Sequence, residues 1–161
     1  MVGGRILAFL LGALIILADQ VTKYLSVVYL MDKRPVVLIE NLLELHFVKN
    51  YGAAFGILQN QRFFFITITS LVLIGMSIYM IKNKNKLTRV AQLAMGFLLG
   101  GALGNLIDRI RLGYVVDFIK VDLRIYDFPV FNIADIFIVI GTGLLIFVIL
   151  FDKYEKAMGD A

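Results

Sequence analysis

Long apolar runs constrain the fold of this chain more than any other feature of its sequence. Residues 63–81 and residues 136–151 contain no charged side chain. Of all residues, 60% are apolar, whereas a soluble domain has about 45–50%. A helix of about 20 apolar residues is long enough to cross the hydrocarbon core of a bilayer. The sequence therefore predicts an integral membrane protein.

Four segments have the length and composition of membrane-spanning helices, and we expect them at residues 5–30, 63–81, 90–107 and 133–152. The first segment could instead be a cleaved signal peptide. However, no small-residue cleavage pattern follows it and apolar residues resume after Lys23, so we interpret it as a retained helix. The predicted fold is an all-α integral membrane protein, a four-transmembrane-helix bundle in a single membrane domain over residues 1–161.

Two of the segments between the spans have strand character. Residues 43–47 alternate between apolar and polar side chains, as a half-exposed strand does, and residues 36–39 can pair with them. Residues 121–126 alternate in the same way, which indicates another interfacial strand or a short amphipathic element. We therefore expect a small β-sheet and loop region on the outer, non-cytoplasmic face, built from outer segments at residues 32–61 and 109–131.

The short connection between the second and third spans predicts the orientation. Residues 82–89, with the sequence KNKNKLTR, carry four positive charges and no acids. Short loops rich in Lys and Arg remain in the cytoplasm. We therefore expect this cytoplasmic loop to lie on the same side as both termini, with the opposite ends of the spans facing outward.

Acidic side chains lie within or beside the apolar runs, where an ionised carboxylate is costly. Asp19 and Lys23 are four residues apart on one helical face of the first span, so they can neutralise each other. Asp108 and Arg109 are adjacent at the outer end of the third span. We interpret Asp108 as one member of an ion pair that closes this helix end.

Two further acids, Asp117 and Asp135, can meet at the outer end of the bundle. Asn132 is a good helix N-cap, and Asp135 then falls at the third helical position, as in a capping box. Two carboxylates within hydrogen-bonding reach share a proton, because both cannot be ionised cheaply. Such a pair can activate a water, as in aspartic proteases. The helix N-terminus favours the anion of Asp135.

Several other chemistries are excluded by composition or by missing motifs. The chain has no Cys and a single His, which excludes thiolate nucleophiles and Cys- or His-rich metal sites. It contains neither a GxSxG elbow nor an HExxH helix, so a serine or metallo-protease is disfavoured. The net charge of +4 is too small, and too interrupted by acids, to indicate nucleic-acid binding.

Two non-enzymatic alternatives remain open at this point. A small proton-coupled exporter also has acids within its spans, but would need them near the bilayer midplane and would not need a long outer segment. A structural or assembly subunit is favoured only by the glycine repeat at Gly96, Gly100 and Gly104, which lets a neighbouring helix approach closely.

Five sequence blocks resemble those of the bacterial lipoprotein signal peptidase (type II signal peptidase) family. They are DQVTK at residues 19–23, NYGAAFG at 50–56, GALGNLIDR at 101–109, VVDFI at 115–119 and FNIAD at 131–135. The resemblance implies an intramembrane aspartyl endopeptidase that removes the signal peptide from diacylglyceryl-modified prolipoproteins, just before the lipidated cysteine. It also implies a multi-pass, monomeric protein of the bacterial cytoplasmic membrane, surrounded by lipid, without a metal or other cofactor.

The same resemblance assigns roles to individual residues. Asp117 and Asp135 would be the catalytic pair, with the active site towards the outer face. Seven other positions match the family's motifs and would support the pair or bind the substrate: Asp19, Lys23, Asn50, Gly52, Asn105, Arg109 and Asn132. Ile136 is a departure, because the family usually has a serine there.

Overall fold

The computed structural model describes residues 3–53, 57–83, 85–123 and 128–151, and the side chains of these from residue 6 onward. Four helices dominate it, and each is long and apolar enough to cross a membrane. They are α1 at Gly3–Leu30, α2 at Arg62–Lys82, α3 at Arg89–Arg111 and α4 at Ile133–Leu150. The prediction of four spanning helices is confirmed.

The outward faces of these helices are covered with large apolar side chains. Phe63 and Leu71 of α2 are 81% and 61% exposed, and Val139 of α4 is 70% exposed. Apolar surface on this scale is unfavourable in water and is suited to contact with lipid tails. The chain is therefore a multi-pass membrane protein.

Helix α3 is the centre of the bundle and contacts α1, α2 and α4. Its glycines allow α1 to approach closely. A Cβ atom on Gly100 would lie 2.8 Å from the carbonyl oxygen of Gly12, and one on Gly104 would lie 2.6 Å from Oδ2 of Asp19. The glycine repeat therefore serves helix packing, with Gly104 leaving space for a buried carboxylate.

A three-stranded antiparallel sheet lies against one end of the bundle. Its strands, in the order β1-β2-β3, are Val36–Ile39, Leu43–Asn50 and Val115–Val121. Asn41 has a φ of 56° in the connection between β1 and β2, a conformation that Asn tolerates better than most residues. The predicted pairing of residues 36–39 with residues 43–47 is confirmed.

Strand β3 lies earlier in the chain than the alternating pattern indicated. It begins at Val115, and its first four residues are all buried. A strand buried on both faces has no polar–apolar alternation, so a search for alternation does not find it. Of the predicted strand at residues 121–126, residues 124–126 lie outside the described part of the chain.

Other sequence-based predictions also fall partly outside the described residues. These are residues 54–56 of the NYGAAFG block, Lys84 of the basic loop, and residues 152–161, which include the last residue of the predicted fourth span.

The sheet is placed where the last residues of α1 and α3 meet the first residues of α4, and we call this region the sheet end. Leu30 of α1 packs with Val116 and Phe118 of β3 in a small buried cluster. Arg62, at the start of α2, donates hydrogen bonds to the carbonyl oxygens of Arg109 and Ile110 at 2.8 Å each. These contacts connect α1 to the sheet and α2 to α3 at the sheet end.

Candidate active site

A cavity of about 800 Å³ opens at the sheet end and is lined by both acids of the predicted pair. Asp117 is the third residue of β3, and Asp135 lies in the first turn of α4. Five of the nine predicted site residues line this cavity: Asn50, Asn105, Arg109, Asp117 and Asp135. The fold thus brings together residues that are far apart in sequence.

Asp117 is 2% exposed, and each of its carboxyl oxygens accepts a hydrogen bond from an asparagine side chain. Nδ2 of Asn50 donates to its Oδ2 at 2.9 Å, and Nδ2 of Asn132 donates to its Oδ1 at 2.6 Å. Burial, together with the negative charge of Asp135, raises the pKa of Asp117 to about 7. The two amide hydrogen bonds oppose this rise. Asp117 can therefore hold a proton near neutral pH.

Asp135 is held at the N-terminus of α4 by a capping box. Its backbone N–H donates to Oδ1 of Asn132 at 3.0 Å, and the backbone N–H of Asn132 donates to its Oδ2 at 3.2 Å. Nδ2 of Asn105 donates to its Oδ1 at 2.7 Å. The predicted capping box is confirmed. The position favours a negative charge, because the N–H groups of a helix N-terminus carry partial positive charge.

Two asparagine side chains connect the acids. Nδ2 of Asn132, which binds Asp117, also lies 3.1 Å from Oδ1 of Asn105, and Nδ2 of Asn105 binds Asp135. Asn132 has no exposed surface and Asn105 is 7% exposed. Asp117 and Asp135 are therefore joined by a continuous chain of side-chain amides.

Behind the amides lies a buried cluster of charges that combines residues from α1 and α3. Nζ of Lys23 is 2.9 Å from Oδ2 of Asp19 and 3.0 Å from Oδ2 of Asp108. Lys23 is only 3% exposed and Asp19 not at all. The predicted pairing of Asp19 with Lys23 is confirmed. Asp108 pairs with Lys23, and its neighbour Arg109 points elsewhere, so the ion pair expected to close the helix end takes its cation from α1.

Arg109 extends from α3 to the loop that follows β2. One of its terminal nitrogens donates to the carbonyl oxygen of Gly52 at 3.0 Å, and its guanidinium lies 4.7 Å from the centre of the Phe65 ring. Asn50 fixes the same loop from within, because its Oδ1 accepts the N–H of Gly52 at 2.9 Å. A Cβ atom on Gly52 would lie 2.6 Å from the carbonyl oxygen of Ile57, so this turn requires glycine.

Apart from Lys49 and Gln59, the side chains of the remaining cavity wall are hydrocarbon. Phe128 and Phe131 contribute from the segment before α4, while Ile136 and Val139 contribute from α4 itself. Ile136 thus presents an apolar side chain to the cavity where a serine was expected from the resemblance. A polar group bound to the acids would therefore also contact apolar side chains of the cavity wall.

Asp108 belongs to the charge cluster and Gln20 contacts it from outside, and neither was among the predicted site residues. Asp108 binds Lys23 and also accepts the backbone N–H of Val116 through Oδ2 at 3.0 Å. Gln20 donates from Nε2 to Oδ1 of Asp108 at 3.0 Å. A signal was available for Asp108, because it lies three residues after Asn105 and so shares its helical face. The same signal was available for Gln20, which lies three residues before Lys23.

Comparison with known proteins identifies the family. The chain matches the family model described as Signal peptidase (SPase) II over residues 11–151. The chain belongs to the signal peptidase II family. Members of this family are aspartic peptidases.

Individual relatives agree with this membership. The chain is 48% identical to the lipoprotein signal peptidase of Brevibacillus brevis over 144 residues, which are 89% of this chain and 95% of the relative. It is 41% identical to the lipoprotein signal peptidase of Bacillus subtilis, over 93% of this chain and 97% of the relative. The expected resemblance is confirmed.

Solved structures agree as well. A bacterial membrane enzyme determined by the in meso method matches with a TM-score of 0.81 and 37% identity, covering 96% of this chain and 93% of its own. A second such structure gives a TM-score of 0.80 and 38% identity, covering 90% and 93%. Because the chain belongs to a peptidase family, we set aside the exporter and assembly-subunit alternatives.

Proposed function

We propose that this signal peptidase II family member removes the signal peptide from diacylglyceryl-modified prolipoproteins, cleaving just before the lipidated cysteine, with Asp117 and Asp135 as the catalytic pair. One observation carries the proposal. Both acids line one cavity, and the amides of Asn105 and Asn132 join them. The names of the relatives, lipoprotein signal peptidases, support the substrate class.

The proposed chemistry divides the work between the acids. Asp135, favoured as an anion at its helix N-terminus, takes a proton from a water held between the two carboxyls. The water oxygen attacks the scissile carbonyl carbon, while protonated Asp117 donates a hydrogen bond to the carbonyl oxygen. The C–N bond then breaks, and the proton taken from the water passes to the leaving nitrogen.

The cavity walls suggest how the substrate is held. The extended backbone around the cleavage point would lie near Asn50 and Arg109, the polar groups on one side of the cavity. The apolar wall at Phe128 and Val139 would accept hydrocarbon from the signal peptide. The two acyl chains would stay in the bilayer and contribute affinity at about 0.8 kcal/mol per buried CH₂. An unlipidated precursor should therefore bind poorly.

We further propose that the sheet end faces outward in the bacterial cytoplasmic membrane and that the protein acts as a monomer. The basic connection before α3 supports the orientation, because positively charged short loops remain cytoplasmic. In this orientation the acids would lie towards the outer surface of the membrane, and we expect the bond to be cut to be presented there.

The test is cleavage of a diacylated prolipoprotein by the purified protein in detergent. We expect Asp117→Asn and Asp135→Asn each to abolish cleavage, because each removes one titratable member of the pair. Glu44→Gln is the matched control, since Glu44 pairs with Lys120 on the sheet at 3.0 Å and does not line the cavity. Cleavage that survives substitution of either aspartate would overturn the assignment of the pair.

A further inference from the structure

Lys23 is the only cation within hydrogen-bonding distance of the amide chain that joins the two acids, among the contacts of the described residues. Its Nζ lies 2.8 Å from Oδ1 of Asn105, closer than to either of its carboxylate partners, Asp19 and Asp108. An ammonium group has three donors and no acceptor. All three donors of Lys23 are therefore used, and one of them is directed at the active-site amide.

The contact with Lys23 determines which way the Asn105 amide faces. The oxygen and nitrogen of a side-chain amide have nearly the same shape, so only hydrogen bonding distinguishes the two orientations. Because Lys23 can only donate, Oδ1 of Asn105 must face it. Nδ2 of Asn105 must then face Asp135, where it donates to Oδ1 at 2.7 Å.

The carboxylate of Asp135 favours the same orientation only while it is ionised and able to accept from Nδ2, whereas the contact with Lys23 favours it whatever the charge of Asp135. Asn132 also directs its Nδ2 towards Oδ1 of Asn105, but at 3.1 Å. The same nitrogen lies 2.6 Å from Oδ1 of Asp117 and 3.3 Å from the carbonyl oxygen of Val116. An amide nitrogen has only two hydrogens for these three acceptors. The hydrogen bond from Asn132 to Asn105 is therefore weakened by competition from the other two acceptors.

We propose that Lys23 is a positioning residue for catalysis, which keeps the Asn105 amide turned so that its N–H group, and not its oxygen, faces Asp135. This inference rests on the proposed role of Asp135 as the base. If the amide turned over, its oxygen would face the carboxylate and disfavour the anion that accepts the proton from water. Lys23 itself does not line the cavity, so its hydrogen-bonded route to Asp135 runs through Asn105. Its positive charge also acts on Asp117 and opposes the rise of the pKa of that carboxyl group.

The first test compares Lys23→Met with Gln20→Met, using the full-length protein in detergent and a diacylated prolipoprotein. Gln20 donates to the same two carboxylates, Asp19 and Asp108, but among the hydrogen bonds of the described residues none joins it to Asn105. We expect Lys23→Met to lower kcat about 10- to 100-fold with KM nearly unchanged, since one hydrogen bond to a charged group is affected. Gln20→Met should lower thermal stability and leave kcat within about twofold. Equal effects on kcat would overturn the proposal.

The second test is a double-mutant cycle between Lys23 and Asn105, read in single-turnover cleavage. If Lys23 acts through Asn105, Lys23→Met should change the cleavage rate by less than about twofold when Asn105→Leu is already present. An undiminished effect of Lys23→Met in that background would overturn the proposal, because a second route to the acids would then exist.

Removing Lys23 leaves two buried carboxylates, so Lys23→Met alone can prevent folding. The double variant Lys23→Met/Asp108→Asn removes one positive and one negative charge together and keeps the charge of the cluster unchanged. We expect this double variant to lose kcat to the same extent as Lys23→Met.

Asp117→Asn is measured alongside, in order to separate the positioning role from the catalytic pair. Full activity of both Lys23 variants with an inactive Asp117→Asn would reject the positioning role alone, whereas an active Asp117→Asn would reject the catalytic pair.

Discussion

At the scale of single residues, Asn132 makes hydrogen bonds to both members of the acid pair. Its Oδ1 accepts the N–H of Asp135 and so begins α4, while its Nδ2 donates to Asp117 on β3. It has no exposed surface, so water cannot replace either contact. One side chain therefore both caps α4 and donates a hydrogen bond to the carboxyl group of Asp117 on β3.

Asn50 gives a prediction about pH dependence. Its amide donates to Asp117, which favours the ionised form and opposes the rise of the pKa to about 7. Asn50→Ala removes this donor, so the pKa of Asp117 should rise further. Because the proposed mechanism needs protonated Asp117, activity falls as pH rises through this pKa. The alkaline limb of the kcat profile should therefore move to higher pH, by about one unit.

The control for this pH experiment is Glu44→Gln, which alters a carboxylate of β2 that does not line the cavity. Its alkaline limb should coincide with that of the unmodified protein. An alkaline limb that stays in place in Asn50→Ala, or moves to lower pH, would contradict Asp117 as the protonated member.

At the scale of elements, the close approach of α1 to α3 leads to a prediction about stability. Gly100→Ala would place a methyl group 2.8 Å from the carbonyl oxygen of Gly12. Backbone cannot move away without separating the helices, so we expect a loss of about 1–3 kcal/mol in the free energy of unfolding. Lower thermal stability in detergent should report it, together with lower activity, because α1 carries Lys23 and Asp19.

Gly75→Ala is the matched substitution, since a Cβ there meets no atom within 4 Å. Alanine is the better helix former by about 0.5–1 kcal/mol, so this variant should be as stable as the original protein or more so. Equal destabilisation by both alanines would mean that close approach of α1 is not what Gly100 provides.

The elements also show what the sequence could and could not predict. Spanning helices were predictable because each needs only a long local run of apolar residues, and the capping box needs only Asn132 and Asp135, three residues apart. Strand β3 was missed because its buried start lacks alternation. The contacts between Asn50 and Asp117, and between Lys23 and Asn105, join residues 67 and 82 positions apart. They depend on how the helices pack, which no local pattern encodes. For that reason these four residues were predicted from the family resemblance, and their mutual contacts became visible only in the structure.

For the whole molecule, the prediction concerns orientation. The chain contains no Cys, so single cysteines can report sidedness without a background. Glu40, in the connection between β1 and β2, and Lys86, in the connection between α2 and α3, are both exposed. In intact cells a membrane-impermeant maleimide should label Glu40→Cys, whereas Lys86→Cys should react only after the membrane is permeabilised. The reverse pattern would contradict the proposed orientation.

The double use of Asn132 has a consequence for the time before the protein is complete. The capping box is local to residues 132–135, but Asn132 can donate to Asp117 only when the start of α4 lies beside β3. Under the proposed mechanism, docking of the last span and completion of the hydrogen bonds to Asp117 therefore happen together. We expect a partly assembled copy to be inactive.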